Sequence, residues 1–354
     1  MEPIVTLVVV SYDCKQWFAR FFESIKEQTI FDRCEVLIVD NSSKDGSAEI
    51  CEQEMKSWKN GRFLPTGGNL GFGGGCNFGA RQAKGKYLFF LNPDIWLERD
   101  CLEALLKHAE ASSAKVFTAA ELGYGEESFM PGSQGWGAPG FDIFGCTTTP
   151  SPAENLDEFF AIGSFFFIQR ELFQKIAGFD REFFVYGEEM DLSWRIRIAG
   201  ESIELVRPAR VHHAAATSTD KTGRTSEFRR FYANRNQILI IAKNSQGPLL
   251  LLTISHVALI AVEAVAGALL ARNFSFIRMS LLKPLADCWR LRHHVLEQRR
   301  IIRSYRQRSD WWIARRYFRF TFGHWGDIKR FLKLKIVIDK SKLPADATQP
   351  SAGN

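Results

Sequence analysis

Along the first half of the chain, short apolar blocks alternate with residues at helical spacing. Ile4–Val10 is an almost unbroken apolar run and reads as a strand buried on both faces. Trp17, Phe18, Phe21, Phe22 and Ile25 then recur at helical spacing. Glu35–Val39 predicts a second strand, Asp40–Gly46 a polar loop, and a helix follows to about Trp58. A glycine-rich segment, Gly67–Asn77, leads into a short helix ending near Ala83. Tyr87–Leu91 predicts a third strand that stops at Asn92-Pro93-Asp94, and Leu97–Ala109 predicts a helix. Phe165–Ile168 reads as a further strand, and an acidic helix starts near Glu188. Ser202–Val206 and Val211–His213 read as closing strands. Such alternation implies an α/β fold, a mostly parallel sheet flanked by helices.

Two stretches break this rhythm. Residues 121–158 are rich in Gly, Pro, Ser and Thr, with Trp136 and Phe141 among them. A loop this long in a compact domain is generally functional or without fixed structure. After about Ser226 the character changes. Gly247–Ala271 is almost wholly apolar and long enough to cross a bilayer, yet it holds His256 and Glu263, and the Glu argues against a simple lipid-exposed span. Beyond it, basic residues interleave with Trp289, Tyr305, Trp311, Trp312, Tyr317, Phe318, Phe320 and Trp325, the pattern of interfacial helices. The expected organisation is a catalytic domain over 1–240, a helical membrane-associating region over 241–340 and a disordered tail over 341–354.

Charge sharpens the contrast between the two regions. Between Arg272 and Lys335 there are 17 Lys and Arg against 4 Asp and Glu, whereas the whole chain carries only +6. The C-terminal part therefore suits an anionic partner. Next to an apolar run, that partner is expected to be a membrane surface and not nucleic acid. The seven cysteines are an odd number with no CxxC spacing, which disfavours a disulfide framework or zinc site and fits a reducing cytosol. The N-terminus lacks a basic n-region, so no signal peptide is expected.

The candidate chemistry lies in carboxylates at strand and helix ends. Asp40 and Asp94 follow the second and third predicted strands, where ligands of open α/β sheets collect. Glu188, Glu189 and Asp191 crowd the start of a helix. Helix capping alone would account for such acids, through the dipole and free N–H groups. Asn92-Pro93-Asp94 would serve equally as a turn, or would present one carboxylate to a hard cation. His212 and His213 end a strand, where an imidazole can be a core residue or a ligand. The glycine cluster does not match the G-x-G-x-x-G dinucleotide fingerprint.

In order and spacing these pieces resemble a family. They are Val8–Asp13, Val39-Asp40-Asn-Ser-Ser-Lys-Asp-Gly46-Ser, Asn69-Leu-Gly-Phe-Gly-Gly-Gly-Cys-Asn77, Leu91-Asn-Pro-Asp94, Gly178-Phe-Asp through Glu188-Glu189-Met-Asp191-Leu, His213-x4-Ser218 and Tyr232-Ala-Asn-Arg-Asn236. Residues 4–240 resemble the inverting family-2 glycosyltransferases of the GT-A fold, in the rhamnosyltransferase-like branch.

The resemblance implies a nucleoside diphosphate sugar donor, contacted by Ser11, Asp40, Asn69, Asn77, Asn92 and Asp94. It implies Mg²⁺ or Mn²⁺ on Asp94, assisted by His213. Glu189 takes the place of the family's general-base Asp, with Glu188 and Asp191 as alternatives. Trp136 is the expected acceptor contact. The resemblance implies a glycan or lipid-linked glycan as acceptor, in cell-surface polysaccharide synthesis at the cytoplasmic face of the membrane. A dTDP-rhamnose donor is the branch's first expectation, and oligomeric state, a homodimer included, is left open. A partner protein that keeps the fold without turnover is the alternative.

Overall fold

The computed structural model describes residues 2–123, 137–138, 140–148, 159–161, 164–214 and 227–319. Trp136, Ser218 and the 341–354 tail lie outside the described residues. The chain runs β1 (Val5–Ser11), α1 (Phe18–Lys26), β2 (Cys34–Asp40), α2 (Ser47–Lys56), β3 (Gly61–Pro65), α3 (Gly71–Gln82), β4 (Tyr87–Leu91), β5 (Ile95–Leu97), α4 (Cys101–Ala111) and β6 (Val116–Gly123). A two-residue ribbon pairs β7 (Gly137–Ala138) with β8 (Phe160–Ala161). Then come β9 (Phe165–Gln169), α5 (Arg170–Lys175), α6 (Glu188–Ile198), β10 (Ile203–His213), α7 (Glu227–Asn244) and α8 (Leu251–Ala271). The short α9 (Ser275–Ile277), α10 (Lys283–Arg290), α11 (Arg292–Tyr305) and α12 (Asp310–Tyr317) complete it.

The main sheet has the order β3-β2-β1-β4-β9-β6-β10-β5. Strands β3, β2, β1 and β4 are parallel neighbours, as are β6 and β10, while β9 runs antiparallel between β4 and β6 and β5 antiparallel to β10. The sheet is thus mixed, with its parallel character concentrated in the first half. Alternation along β1 divides its apolar residues between two cores. Val5, Leu7 and Val9 face α1, α2 and α4 through Phe18, Phe21, Met55 and Leu105. Val8 and Val10 face α3, α6 and the C-terminal helices through Cys76, Trp194, Ile302 and Ile313.

Several boundaries differ from the sequence expectation. Ile95–Leu97 pairs with Val211–His213 as an edge strand, so α4 begins at Cys101 and not at Leu97. The two predicted closing strands are one strand, β10, with an irregularity between Val206 and Arg210. The expected boundary at 240/241 falls inside α7. Helices α11 and α12 also share the core behind the sheet, through Ile302, Tyr305, Ile313 and Tyr317. Some of the basic residues expected to face lipid turn inward instead. Arg299 donates to the carbonyls of Ala242 and Ser245, and Arg306 to that of Asn244.

The glycine-rich segment becomes α3 itself. A Cβ at Gly79 would lie 2.4 Å from Val8 Cγ1 and 2.9 Å from Val39 Cγ2. The glycine therefore lets the helix backbone approach β1 and β2 directly. Gly79→Val should cost about 1–3 kcal/mol through overpacking, read as a lower urea midpoint at unchanged m. An unchanged midpoint would mean that α3 does not seat on the strands this closely.

Candidate active site

The carboxyl ends of β1, β2, β4, β6 and β10 lie along one edge of the sheet, because these strands share a direction. At the β1–β2 end, Ser11 and Asp40 are register partners and both are buried. Asp40 accepts from Ser43 Oγ at 2.6 Å and Ser43 N at 3.1 Å, which folds the loop after β2 back over the strand end. Asn92-Pro93-Asp94 forms a turn closed by Ile95 N donating to the Asn92 carbonyl at 3.3 Å. The turn reading and the ligand reading are thus compatible, since this turn sets Asp94 beside β10.

His213 is where two carboxylates meet. Its Nε2 lies 3.5 Å from Asp94 Oδ2, and its Nδ1 lies 2.9 Å from Glu121 Oε1. Burial pulls the imidazole pKa down, but the bonds to Asp94 and Glu121 outweigh it and push the value up to about 9. Glu121 is 3% exposed, and its Oε2 has no hydrogen-bond partner. Sequence reasoning did not single out Glu121. The available signal was an acid near the end of the otherwise apolar stretch 116–122. A carboxylate on Nδ1 orients the ring and leaves Nε2 for a second partner, as in carboxylate–histidine–metal arrangements. The residues present therefore fit a divalent cation, with Asp94 and His213 Nε2 as protein ligands. Among the described residues no group of three His, Cys, Asp or Glu side chains forms a cage, so remaining ligands would come from diphosphate or water.

A shaped turn leads into the acidic helix and packs on the start of α3. Tyr186 and Gly187 both take positive φ, 67° and 86°, directly before Glu188. Asn236 Nδ2 donates to the carbonyls of Val185 and Tyr186 at 2.9 and 2.6 Å, and so fixes the turn from α7. Gly71, at φ 72°, sits where a Cβ would come within 2.0 Å of the Phe184 carbonyl oxygen. Asn41, next to Asp40, donates to the Gly71 carbonyl at 3.0 Å. Contacts thus run from the β2 end through the start of α3 to the acidic turn. Glu188 is buried against Gly73, with an unpartnered Oε2. Burial first, and then the neighbouring Glu189, raise its pKa well above the usual carboxylate range. Burial also raises the pKa of the half-buried Glu189.

Two of the expected site residues are engaged elsewhere. Asp191 has no solvent exposure; it pairs with Arg195 Nη2 and Lys243 Nζ, each at 2.9 Å, and accepts from Asn244 Nδ2 at 2.9 Å. It belongs to a core ion cluster, and helical periodicity turns it away from Glu189. Asn77 exchanges both amide groups with the Phe179 backbone, at 2.8 and 3.0 Å, so it ties α3 to the loop before α6. Asn69 is exposed at the start of α3 and accepts from Gly71 N at 2.9 Å. Trp136, the expected acceptor contact, lies outside the described residues.

Residues 6–177 match the family model "Glycosyl transferase family 2". The rhamnosyltransferase WbbL of Escherichia coli (strain K12) is 24% identical over 229 residues, covering 60% of this chain and 84% of that protein. N-acetylglucosaminyl-diphospho-decaprenol L-rhamnosyltransferase of Mycobacterium tuberculosis is 28% identical over 251 residues, 62% of this chain and 79% of that one. Other relatives match over a smaller share of their length. For the chondroitin synthase of Escherichia coli, 32% identical over 118 residues, this share is 17%. Two solved structures show the same GT-A architecture. GalNAc-T7 with UDP, GalNAc and Mn²⁺ has a TM-score of 0.57 at 16% identity, over 70% of this chain and 49% of that one. Staphylococcus aureus TarS 1–349 with UDP has a TM-score of 0.52 at 14% identity, over 86% and 91%.

The two-carboxylate setting of His213 has a direct spectroscopic consequence. In metal-free buffer one imidazole should titrate near pH 9 by NMR, and Glu121→Gln should lower that pKa by about one unit or more. The raised value means that the stability this pairing contributes is fully present below about pH 6.5 and is lost as pH rises through about 9. Titration of His213 near 6.5 in the parent would contradict the arrangement.

Proposed function

We propose that this chain, which carries a glycosyl transferase family 2 domain, moves a sugar from a nucleoside diphosphate donor to a hydroxyl of a glycan, inverting the anomeric centre. The setting is polysaccharide or cell-wall glycan assembly, on an acceptor linked to lipid at the cytoplasmic face of a membrane. The observations that carry the reading are the Glu188–Glu189 pair behind a positive-φ turn, linked by contacts through Gly71 and Asn41 to the end of β2, and the Asp94–His213 pairing at the end of β10. The WbbL and mycobacterial relatives support a rhamnosyl donor, and the name of the latter prints a diphospho-decaprenol acceptor. UDP in the GalNAc-T7 and TarS structures supports a nucleoside diphosphate leaving group, and Mn²⁺ in the former supports metal use.

An acceptor hydroxyl is a weak nucleophile near neutral pH, so a positioned carboxylate must take its proton as the new bond forms. Glu189 is the general base in this reading. Burial raises its proton affinity toward the working pH, which favours proton transfer. Glu is one methylene longer than the Asp that the family uses here, and the rigid Tyr186–Gly187 turn compensates by fixing the helix start. Glu188, buried and raised further, is held as a neutral acid and limits competing negative charge beside the base. Asp40 and Ser11 line the nucleoside end, and Asp94 with His213 the diphosphate end. A bound Mg²⁺ or Mn²⁺ there neutralises charge on the leaving diphosphate. The Glu-for-Asp change is also what favours the second reading, a non-catalytic partner protein.

Turnover across a panel of nucleotide sugars, with membrane extract as acceptor source, separates the two. Glu189→Gln should lower turnover about 10²–10⁴-fold while leaving nucleoside diphosphate binding intact. Asp94→Asn should remove the dependence on added Mn²⁺. Binding without turnover of any donor by the parent would favour the partner protein.

A further inference from the structure

Helix α8 is apolar on two opposite faces, and only one is used by the protein. Leu252, His256, Ile260, Ala264 and Ala268, at four-residue spacing, are buried. Leu251, Ile254, Ala258, Val262, Val265 and Leu269 form the opposite stripe at about 100° per residue, and Ile254, Val262 and Leu269 are 69%, 68% and 70% exposed. Exposed apolar residues recur in the segment that follows. Phe274 is exposed at the turn, and Leu282, Trp289 and Leu296 recur every seven residues along the helical run 278–305. Exposed Arg272, Arg278 and Lys283 flank it.

Both ends of α8 are fastened to the catalytic body. Just before it, Gln246 N and Gly247 N donate to Asp310 Oδ2 of α12, each at 2.8 Å. Just after it, Asn234 of α7 donates to the Ser280 carbonyl at 2.7 Å, and Arg235 pairs with Asp287 at 3.0 Å. His294 then lies 2.9 Å from Asp180 beneath the acidic helix. A helix that crossed a bilayer would carry the following residues to the far side. Among the described residues α8 is the one helix long and apolar enough to span, so there is no second span to bring the chain back.

We propose that α8 does not cross the membrane but lies in its surface. Its exposed stripe, with Phe274, Leu282 and Trp289, enters the headgroup and acyl boundary of an anionic bilayer. Arg272, Arg278 and Lys283 meet the phosphates. This deepens the membrane setting of the proposed function and rests on it for orientation, while the insertion geometry stands on contacts alone. Helix α8 also contacts the 143–144 segment: Ser255 Oγ donates to the Ile143 carbonyl at 2.6 Å, and His256 Nδ1, on the buried face, lies 3.1 Å from the Phe144 carbonyl.

Sealed vesicles of both orientations, from cells making the full chain, test the topology. Single cysteines at Lys56 (catalytic domain) and Arg272 (end of α8) are probed with an impermeant maleimide against the parent background. The proposal expects both to label in the same vesicle orientation; labelling in opposite orientations would establish a span and overturn it. Flotation of purified chain with phosphatidylglycerol vesicles tests the surface. Ile254→Glu/Val262→Glu/Leu269→Glu should weaken partitioning more than tenfold, with nucleoside diphosphate binding unchanged. Equal flotation of parent and variant would overturn the surface, as would a parent that forms dimers through the stripe without floating. Normal flotation of a parent that turns over no donor would count against the glycosyltransferase reading alone.

Discussion

The structure depends on a pair of buried carboxylates, Asp180 and Asp191, that share the Lys243 ammonium. Asp180 is 1% exposed and Asp191 is 0% exposed. Arg195 and Asn244 complete the partners of Asp191, and His294 those of Asp180. Burial alone would raise the Asp180 pKa, yet Lys243 and His294 pull it far below the usual range. Ions without water are costly unless every partner stays in place, so this cluster fixes geometry more than it adds stability. It joins the loop before α6, α6 itself, α7 and α11. The helix that presents Glu188 and Glu189 is therefore set by charges on its own first turns and on α7 and α11.

That coupling changes the meaning of the C-terminal helices. They read in sequence as an appended basic region, but His294, Arg299 and Arg306 all reach back to the catalytic body. The same contacts keep the start and return of α8 on one side. The acidic turn and the C-terminal helices are thus parts of one packing arrangement.

Much of the fold was legible because its signals are local. Ile4–Val10, Glu35–Val39 and Tyr87–Leu91 are apolar runs with clear ends, and each is a strand within a residue or two. Strands β3 and β6 were not, since Gly61–Pro65 and Val116–Gly123 carry weak periodicity and owe their form to neighbours. The acidic turn, Asp40 and Asp94 were legible as residues at element ends. What they touch was not. Asp191 is separated from Glu189 by only two positions, yet helical rotation places it in the core. Asn77 looks like a ligand-binding amide until Phe179, far along the chain, takes both its groups. Glu121 becomes meaningful only once β10 lies beside β6.

The central claim is that one edge of the sheet holds a nucleoside diphosphate and its metal beneath the acidic turn. A crystal structure with a nucleoside diphosphate and Mn²⁺ tests it most directly, because anomalous scattering locates the ion independently of any assay. The account predicts Mn²⁺ between Asp94 and His213 Nε2, with Glu121 still on Nδ1, the nucleoside beside Asp40 and the Glu189 carboxylate facing the open side of the site. Mn²⁺ bound away from Asp94, or a diphosphate outside this edge, would contradict it.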